Sequence, residues 1–358
     1  MSVPGTDAVP QVMIGDRPIG PGRPTWLVAE MSGNHGGSLD RALAMVDAVA
    51  AAGADAVKIQ VYRPDTITLD SDRPDFRIAA DNAWAGHRTL YQLYEEAHTP
   101  WEWLPALFRR AAEHGLPIFG SVFDETSVDA LEELQVPAYK IAAPEICDRP
   151  LLQRVAATGK PVLVSTGVAT LADVAQAYEL LMQEGAGGVV LLKCSTAYPA
   201  PPEEINLRTI PHMQQAFSCP VGFSDHTLGI GIALAAIGLG ATVIEKHVKL
   251  ADAPPAVDDF FSLTTAQFAI LVEESRRVQR ALGTVDYSIT PSSRANAAGR
   301  RSLYVAAPIA AGAPFTVHNI RSVRPGHGLD TRYRDIVLGR RAARDLAPGE
   351  RLAWDVID

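Results

Sequence analysis

Cysteine is scarce in this chain. Three thiols in 358 residues, Cys147, Cys194 and Cys219, stand far apart. That excludes a disulfide framework and a closely spaced zinc ribbon and suits a reducing compartment, so the cytoplasm is the expected location. Long apolar runs are missing as well: none reaches the roughly 20 residues that cross a bilayer, so no membrane partner is expected. Between Met1 and Pro24 no basic patch precedes an apolar stretch, and no secretory leader is expected there. Positive charge is not in excess. Lys and Arg total 32 against 41 Asp and Glu, a net charge of −9. That argues against nucleic acid as a partner, while local lysines can still hold an anionic substrate. What is present is ordinary for a globular protein, 47% hydrophobic and 20% charged residues. The length suits one large α/β domain and one small one.

Short apolar runs alternate with helical patterns from Trp26 to about Leu282. Strands are expected at Trp26–Glu30, Ala56–Gln60, Pro117–Ser121, Ala138–Ala142, Pro161–Ser165, Val189–Lys193, Pro220–Ser224 and Thr242–Lys246. Runs apolar on both faces and bounded by Gly or Pro are the pattern of buried parallel strands. Between them, Leu39, Ala42, Leu43, Val46 and Ala50 share a helical face after Ser38, a fitting N-cap. Leu171, Val174, Tyr178 and Leu181 do the same after Thr170, with Asp173 three residues on as a capping box. Phe268, Leu271, Val272 and Val278 form the last such face. Eight strand–helix units predict a closed (β/α)₈ barrel over residues 1–283, with a doubly wound sheet as the alternative. The connection from Val61 to Pro100 is too long for an ordinary crossover and predicts a functional loop over the barrel mouth. Residues 284–299 turn small and polar and read as a linker. Residues 300–358 form a small β-rich module with an internal echo, Ile309-Ala310-Ala311-Gly312 and Leu346-Ala347-Pro348-Gly349.

In such barrels the active site lies at the C-terminal ends of the strands. In order, those ends carry Glu30; Lys58 and Gln60; Ser121; Lys140 with Glu145 beyond; Ser165-Thr166-Gly167; Lys193, Ser195, Thr196 and Tyr198; Ser224-Asp225-His226; and Glu245-Lys246-His247. His226 and His247 follow neighbouring strands. They could meet on one Lewis-acid cation with positions left open for water and substrate, or one could be a mere supporting histidine. Lys58 and Lys140 sit between apolar neighbours, where an unpaired ammonium is costly. With Ser121, Ser165 and Ser224 they resemble a cradle for phosphate and carboxylate. The alternatives are buried ion pairs with Glu30, Glu145 and Glu245 and a Schiff-base lysine; lysines at several strand ends favour charge pairing for most of them and leave room for one Schiff base. Gly36-Gly37 reads as a tight turn sooner than as a close backbone approach to a ligand, and Asp258, after Pro254-Pro255, as a loop carboxylate that is either solvated or able to take a sugar hydroxyl.

The motifs Ala29-Glu30-Met31-Ser32-Gly33-Asn34-His35, Val57-Lys58-Ile59-Gln60, Pro137-Ala138-Tyr139-Lys140-Ile141, Leu163-Val164-Ser165-Thr166-Gly167, Tyr198-Pro199-Ala200-Pro201, Ser224-Asp225-His226-Thr227-Leu228-Gly229 and Ile244-Glu245-Lys246-His247 resemble those of the sialic acid synthase family, the phosphoenolpyruvate-dependent nonulosonic acid synthases. Arg324-Pro325-Gly326-His327-Gly328 resembles the signature of that family's antifreeze-like (SAF, β-clip) domain. Asp72-Arg73-Pro74-Asp75-Phe76, Arg88-Thr89-Leu90-Tyr91, Ala97-His98-Thr99-Pro100-Trp101-Glu102-Trp103 and Arg300-Arg301-Ser302-Leu303-Tyr304 are similar to the pseudaminic branch.

The resemblance implies condensation of phosphoenolpyruvate with an open-chain acetamido-hexose. In the pseudaminic branch the sugar is 2,4-diacetamido-2,4,6-trideoxy-altrose; N-acetylneuraminate or legionaminate synthesis is the neighbouring expectation. It implies a divalent cation on His226 and His247, manganese in the first place, with magnesium or cobalt as alternatives. Lys58, Lys140, Ser121, Ser165 and Ser224 would lie near phosphoenolpyruvate, with Glu145 and Thr196 also on the substrate. Glu30, Gln60, Tyr198 and Asp258 would handle sugar hydroxyls, water or protons. Arg324 would reach the acylamino group of a sugar bound in the partner of a domain-swapped homodimer. The chain departs from the family pattern at Gly120-Ser121-Val122-Phe123, at Ala143 where a serine is common, at Gly36-Gly37, and at Ala253-Pro254-Pro255-Ala256. These departures keep two readings of other classes in view, a Schiff-base aldolase using Lys140 and a non-catalytic sugar-binding protein.

Overall fold

A computed structural model describes residues 9–358; the reading of the leading residues Met1–Ala8 lies outside them. The chain divides into two compact units, one up to Gly283 and one from Thr284. The first unit is a closed barrel of eight parallel strands: β1 (Trp26–Glu30), β2 (Ala56–Val61), β3 (Ile118–Val122), β4 (Tyr139–Ile141), β5 (Val162–Ser165), β6 (Val189–Cys194), β7 (Val221–Asp225) and β8 (Val243–Lys249). Each pairs with the next, and β8 pairs with both β7 and β1, with Val243 opposite Trp26 and His247 opposite Glu30. Closure leaves no sheet edge. It selects the barrel over the doubly wound alternative.

A helix of the outer layer follows each strand: α1 (Leu39–Ala51), α2 (Leu104–Glu113), α3 (Glu125–Glu133), α4 (Arg149–Ala156), α5 (Leu171–Gln183), α6 (Thr209–Phe217), α7 (Gly231–Gly238) and α8 (Thr265–Leu282); the long connection after β2 adds short helices at Pro64–Ile67 and Leu90–Ala97. Ser38 caps α1 by accepting from Arg41 N–H, and Thr170 and Asp173 form the expected capping box on α5. Leu171 does not join the buried face of α5, which is Val174, Ala177 and Leu181; it stays 58% exposed. It opens the first turn, ahead of the buried stripe. None of the described helices is long and apolar enough to cross a membrane.

Five of the eight strands begin one residue later than the apolar runs suggest. Pro117, Pro161 and Pro220 have no N–H to give a ladder. Their carbonyls instead accept from Val57, Tyr139 and Leu191 of the neighbouring strands, at 2.9, 2.9 and 3.1 Å. An N-terminal hairpin, Val12–Ile14 with Arg17–Ile19, lies in a stretch where the sequence predicts no element. Gly15 at φ 60° makes its two-residue turn, and Val12, Ile14 and Ile19 are buried in the barrel core.

The second unit has its own core of Leu303, Val305, Ile309, Phe315, Ile320, Val337 and neighbours. Antiparallel strands Ser302–Val305 and Ile320–Val323 form its sheet. The two echoed segments meet: Ile309 and Leu346 exchange both backbone hydrogen bonds, at 3.0 and 2.8 Å, and Gly312 and Gly349 turn the chain at φ 76° and 90°. The stretch read as a linker includes 3₁₀ turns over Pro291–Gly299, capped by Thr290.

Candidate active site

Side chains alternate along a strand, so every second residue at the strand ends points into the barrel. At β8, Glu245 and His247 face inward while Lys246 faces out to Asp225, a buried pair at 2.7 Å. At β7 the inward residues are Ser224 and then His226. The inner ring is joined by Lys58 and Gln60, Ser121, Lys140, Ser165 and Cys194, and all of these line a cavity of about 600 Å³ at the mouth. The electrostatic centre is Lys58. Its Nζ lies 2.8 Å from Glu30 Oε2 and 3.3 Å from Glu245 Oε1, and it donates to Ser121 Oγ at 2.9 Å. Ser224 Oγ donates to Glu245 Oε1 at 3.0 Å. Lys140 is fully buried yet has no carboxylate partner among the described residues; its Nζ donates to the Ile141 carbonyl, at 2.8 Å. Ser165 Oγ is buried without a partner among the described residues. Of the readings open from the sequence, Lys58 is thus an ion-paired lysine and Lys140 is not.

Burial governs the titration of this cluster. It pushes the Glu30 carboxyl up to about 7 in spite of Lys58. Burial acts the same way on Glu245, but Lys58 and Lys140 outweigh it and hold that carboxyl below its ordinary value. For Lys58 burial opposes the charge, and the Glu245 and Glu30 carboxylates more than offset it. Lys140 is lowered, by burial first and by Lys58 among its neighbours. The ring therefore holds a fixed carboxylate, a protonatable one, and a lysine without a partner.

The His226 and His247 rings lie with centroids 5.3 Å apart and planes inclined by 69°. Two imidazoles bound side by side to one ion at about 2.1 Å have ring centres roughly 5 Å apart. His226 Nδ1 donates to the Ser195 carbonyl at 2.7 Å, which leaves Nε2 as the free lone pair. His247 is driven well below its usual range by burial and by the neighbouring His226 and lysines, so it is neutral, and its Nδ1 is buried without a partner. The donor set fits a divalent cation that keeps open positions. No group of three or more His, Cys, Asp or Glu converges on a cation site among the described residues, so water or substrate oxygens would complete the shell.

The Val61–Pro100 connection covers the mouth, as its length suggests. Trp84 donates Nε1–H to the Val257 carbonyl at 2.9 Å and packs on Tyr198 (5.2 Å) and Phe260 (5.9 Å). Tyr198 stacks on His226 at 4.4 Å, and Phe261 on His247 at 4.7 Å. Ile78, Leu90, Leu93 and Tyr94 extend this apolar wall. On the other side, Ser32 adopts φ 47°, a left-handed conformation costly for a non-glycine residue. Its N–H donates to Glu30 Oε1 at 3.0 Å and its hydroxyl to Asp258 Oδ2. Burial raises the Asp258 carboxyl. Gly36 and Gly37 turn the chain at φ 53° and 70°, and a Cβ on Gly36 would lie 2.7 Å from Arg41 Nη1. That is the expected tight turn.

Most of the sequence-derived site residues thus converge. Lys58, Gln60, Ser121, Lys140, Ser165, Thr196, Tyr198, Ser224, His226, His247 and Asp258 all line the mouth. Glu30 stands behind Lys58. Glu145 sits in the 3₁₀ turn after β4, outside the lining, with Oε2 unpartnered; Ala142, Ala143 and Pro144 form the wall there. Arg324 belongs to the second unit. Sequence reasoning named Glu245 only as a partner in buried ion pairs, which it is, and gave no role to Ser32, Trp84 or Phe261. Glu245 had a legible signal, its two-residue offset from His247 on one strand. Trp84 and Phe261 lie on loops, where no periodicity points inward.

Fold and site together define a (β/α)₈ barrel whose mouth sets two imidazoles opposite a buried lysine–carboxylate ring. The chain belongs to the NeuB family, whose sequence profile matches residues 45–287, and a SAF domain profile matches residues 300–357. The pseudaminic acid synthase of Campylobacter jejuni (strain 81-176) is 38% identical over 91% of this chain and 95% of its own length. The N,N'-diacetyllegionaminic acid synthase of the same species is 31% identical over 91% and 98%. Among solved structures, the spore coat polysaccharide biosynthesis protein SpsE of Bacillus subtilis is 32% identical, with a TM-score of 0.66 over 97% of this chain and 99% of that one.

Proposed function

We propose that this chain condenses phosphoenolpyruvate with the open-chain form of 2,4-diacetamido-2,4,6-trideoxy-altrose, giving pseudaminic acid and phosphate. One observation carries the reading: a single cavity is lined both by Lys58, Lys140 and three serine hydroxyls and by Trp84, Ile78, Leu93 and Phe261. The lysines and hydroxyls suit a phosphate and a carboxylate. The apolar side chains suit two acetamido methyls and a deoxygenated C6 better than the hydroxylated tail of N-acetylmannosamine. The 38% identical relative that bears the name pseudaminic acid synthase supports the same branch.

His226 and His247 would hold the cation, manganese in the first place. When bound, it supplies Lewis-acid polarisation of the aldehyde. The chain's own residues do the rest. Lys140 Nζ and Ser165 Oγ, which have no ionic partner in the free protein, receive the phosphate and carboxylate. Lys58 turns from Glu30 toward the incoming anion, and Glu30, with its carboxyl near 7, takes up a proton at Oε2 as the cation leaves it. C3 of the enol bonds to the aldehyde carbon, and the aldehyde oxygen takes the proton from Glu30. Water adds at C2 and returns a proton to Glu30; the C2–O bond then breaks, the C2 hydroxyl proton leaves with phosphate, and a C2 ketone remains. Asp258 and Gln60 orient sugar hydroxyls, and Trp84 keeps bulk water from the cleft. The enzyme would work as a cytoplasmic homodimer in which Arg324 of the partner subunit reaches the sugar's acylamino group.

The test is incubation with phosphoenolpyruvate, manganese and a panel of 2-acetamido and 2,4-diacetamido hexoses, following phosphate and the keto acid by mass. Release with the trideoxy-altrose above all others is expected; release with none of the panel defeats the reading. Lys140, as the partner-free lysine, is also the nucleophile that a Schiff-base aldolase needs. Borohydride trapping of substrate on Lys140 would favour that class.

A further inference from the structure

A second cleft, of about 930 Å³, opens on the flank of the barrel between α5 and α6. It lies across a thin wall from the mouth. A Cβ on Gly167, which lines this cleft, would touch Thr196 Cγ2 at 3.1 Å and Cys194 Sγ at 3.3 Å, both of which line the mouth cavity. Cys194 points into the barrel, so its neighbour Lys193 points outward into the helix layer and reaches this cleft. Its half-buried ammonium forms no salt bridge among the described residues; Nζ donates to the Cys194 carbonyl at 2.7 Å. Arg208 and His212, four residues apart at the start of α6, add two more basic groups, and no aspartate or glutamate among the described residues lines the cleft. Thr166 and Thr209 supply hydroxyls. Leu171, Val174, Met213 and Leu239 supply an apolar floor, which gives the exposed Leu171 a role.

We propose that this cleft is a second ligand site, taking a small organic anion in which a carboxylate or phosphate is carried on an apolar body. Lys193 and Arg208 hold the charged group, and Leu171, Val174 and Met213 hold the body. Occupancy acts on the first site. An anion that draws Lys193 off the Cys194 carbonyl loosens the segment whose next carbonyl, Ser195, fixes His226 Nδ1. Turnover then falls.

Calorimetry of the full chain with phenyl phosphate and with benzoate tests this, with phosphoenolpyruvate at saturation so that the mouth is filled. One anion per chain should bind, and neutral phenol should not. Lys193→Met should weaken binding about tenfold or more, and Arg208→Gln several-fold, as expected for lost charge-assisted hydrogen bonds. Arg208→Gln should keep wild-type turnover without the probe and show weaker inhibition with it. Unchanged binding in both variants, or displacement of the probe by phosphoenolpyruvate, overturns the site. Lys193-dependent binding with no effect on turnover overturns its action on His226.

Discussion

Lys58 holds Glu30 at 2.8 Å in a ring where a second carboxylate, Glu245, stands only 3.3 Å from the same ammonium. One lysine thus satisfies two buried acids, and an arriving trianion competes for it. Lys58→Met should raise the Michaelis constant for phosphoenolpyruvate by about tenfold or more while leaving that for the sugar nearly unchanged. It should also cost stability, because two carboxylates lose their shared counter-charge. Equal effects on both substrates would show that Lys58 does not grip the phosphorylated enol.

The Glu145 carboxyl is raised by burial from an ordinary 4.5 to about 7. Between those values the unfolded chain releases a proton that the folded chain keeps. Its contribution to stability is therefore intact below pH 4.5, declines as pH rises to 7, and is level beyond. Glu145→Gln removes this titration. Its stability relative to the parent should climb by about 1–2 kcal/mol across the window, allowing for partial solvent access. Urea unfolding at several pH values measures it; a constant difference would contradict the assignment.

Gly222 lets β7 press against β8: a Cβ there would lie 2.6 Å from the Val243 carbonyl and 2.7 Å from Leu192 Cδ2. Gly222→Ala should cost about 1–3 kcal/mol of stability through forced separation of the strands. Because those strands carry His226 and His247, manganese affinity should fall with it. A variant as stable as the parent in thermal unfolding would show that the strands yield freely.

Arg324 is proposed to act across a dimer, which subunit mixing can reveal. His247→Ala and Arg324→Ala proteins should each be inactive alone. Mixed and reassembled, they should regain about a quarter of parental activity, since one site of each heterodimer then has an intact barrel and an intact arginine. No recovery in verified heterodimers would place Arg324 in its own chain's site or outside catalysis.

The barrel was legible because parallel strands buried on both faces write continuous apolar runs, and their C-terminal ends then read out Lys58, Lys140, Ser224, His226 and His247 in order. The hairpin Val12–Ile14 with Arg17–Ile19 was hidden among prolines and glycines, its strands too short for a period to register. Leu171 misled because position on a helical face does not say whether the sheet reaches the first turn. Which carboxylate Lys58 chooses, and that Lys140 has none, depends on where the barrel's tilt brings side chains from non-adjacent chain segments. Trp84 reaches Tyr198 only through the fold of a long loop.

The account depends above all on His226 and His247 sharing one cation. Electron paramagnetic resonance of manganese titrated into the full chain measures this directly. The parent should bind one ion per chain, and His226→Ala and His247→Ala should each abolish that binding while keeping the native circular dichroism. Manganese bound equally well by both variants would place the metal elsewhere and contradict the account.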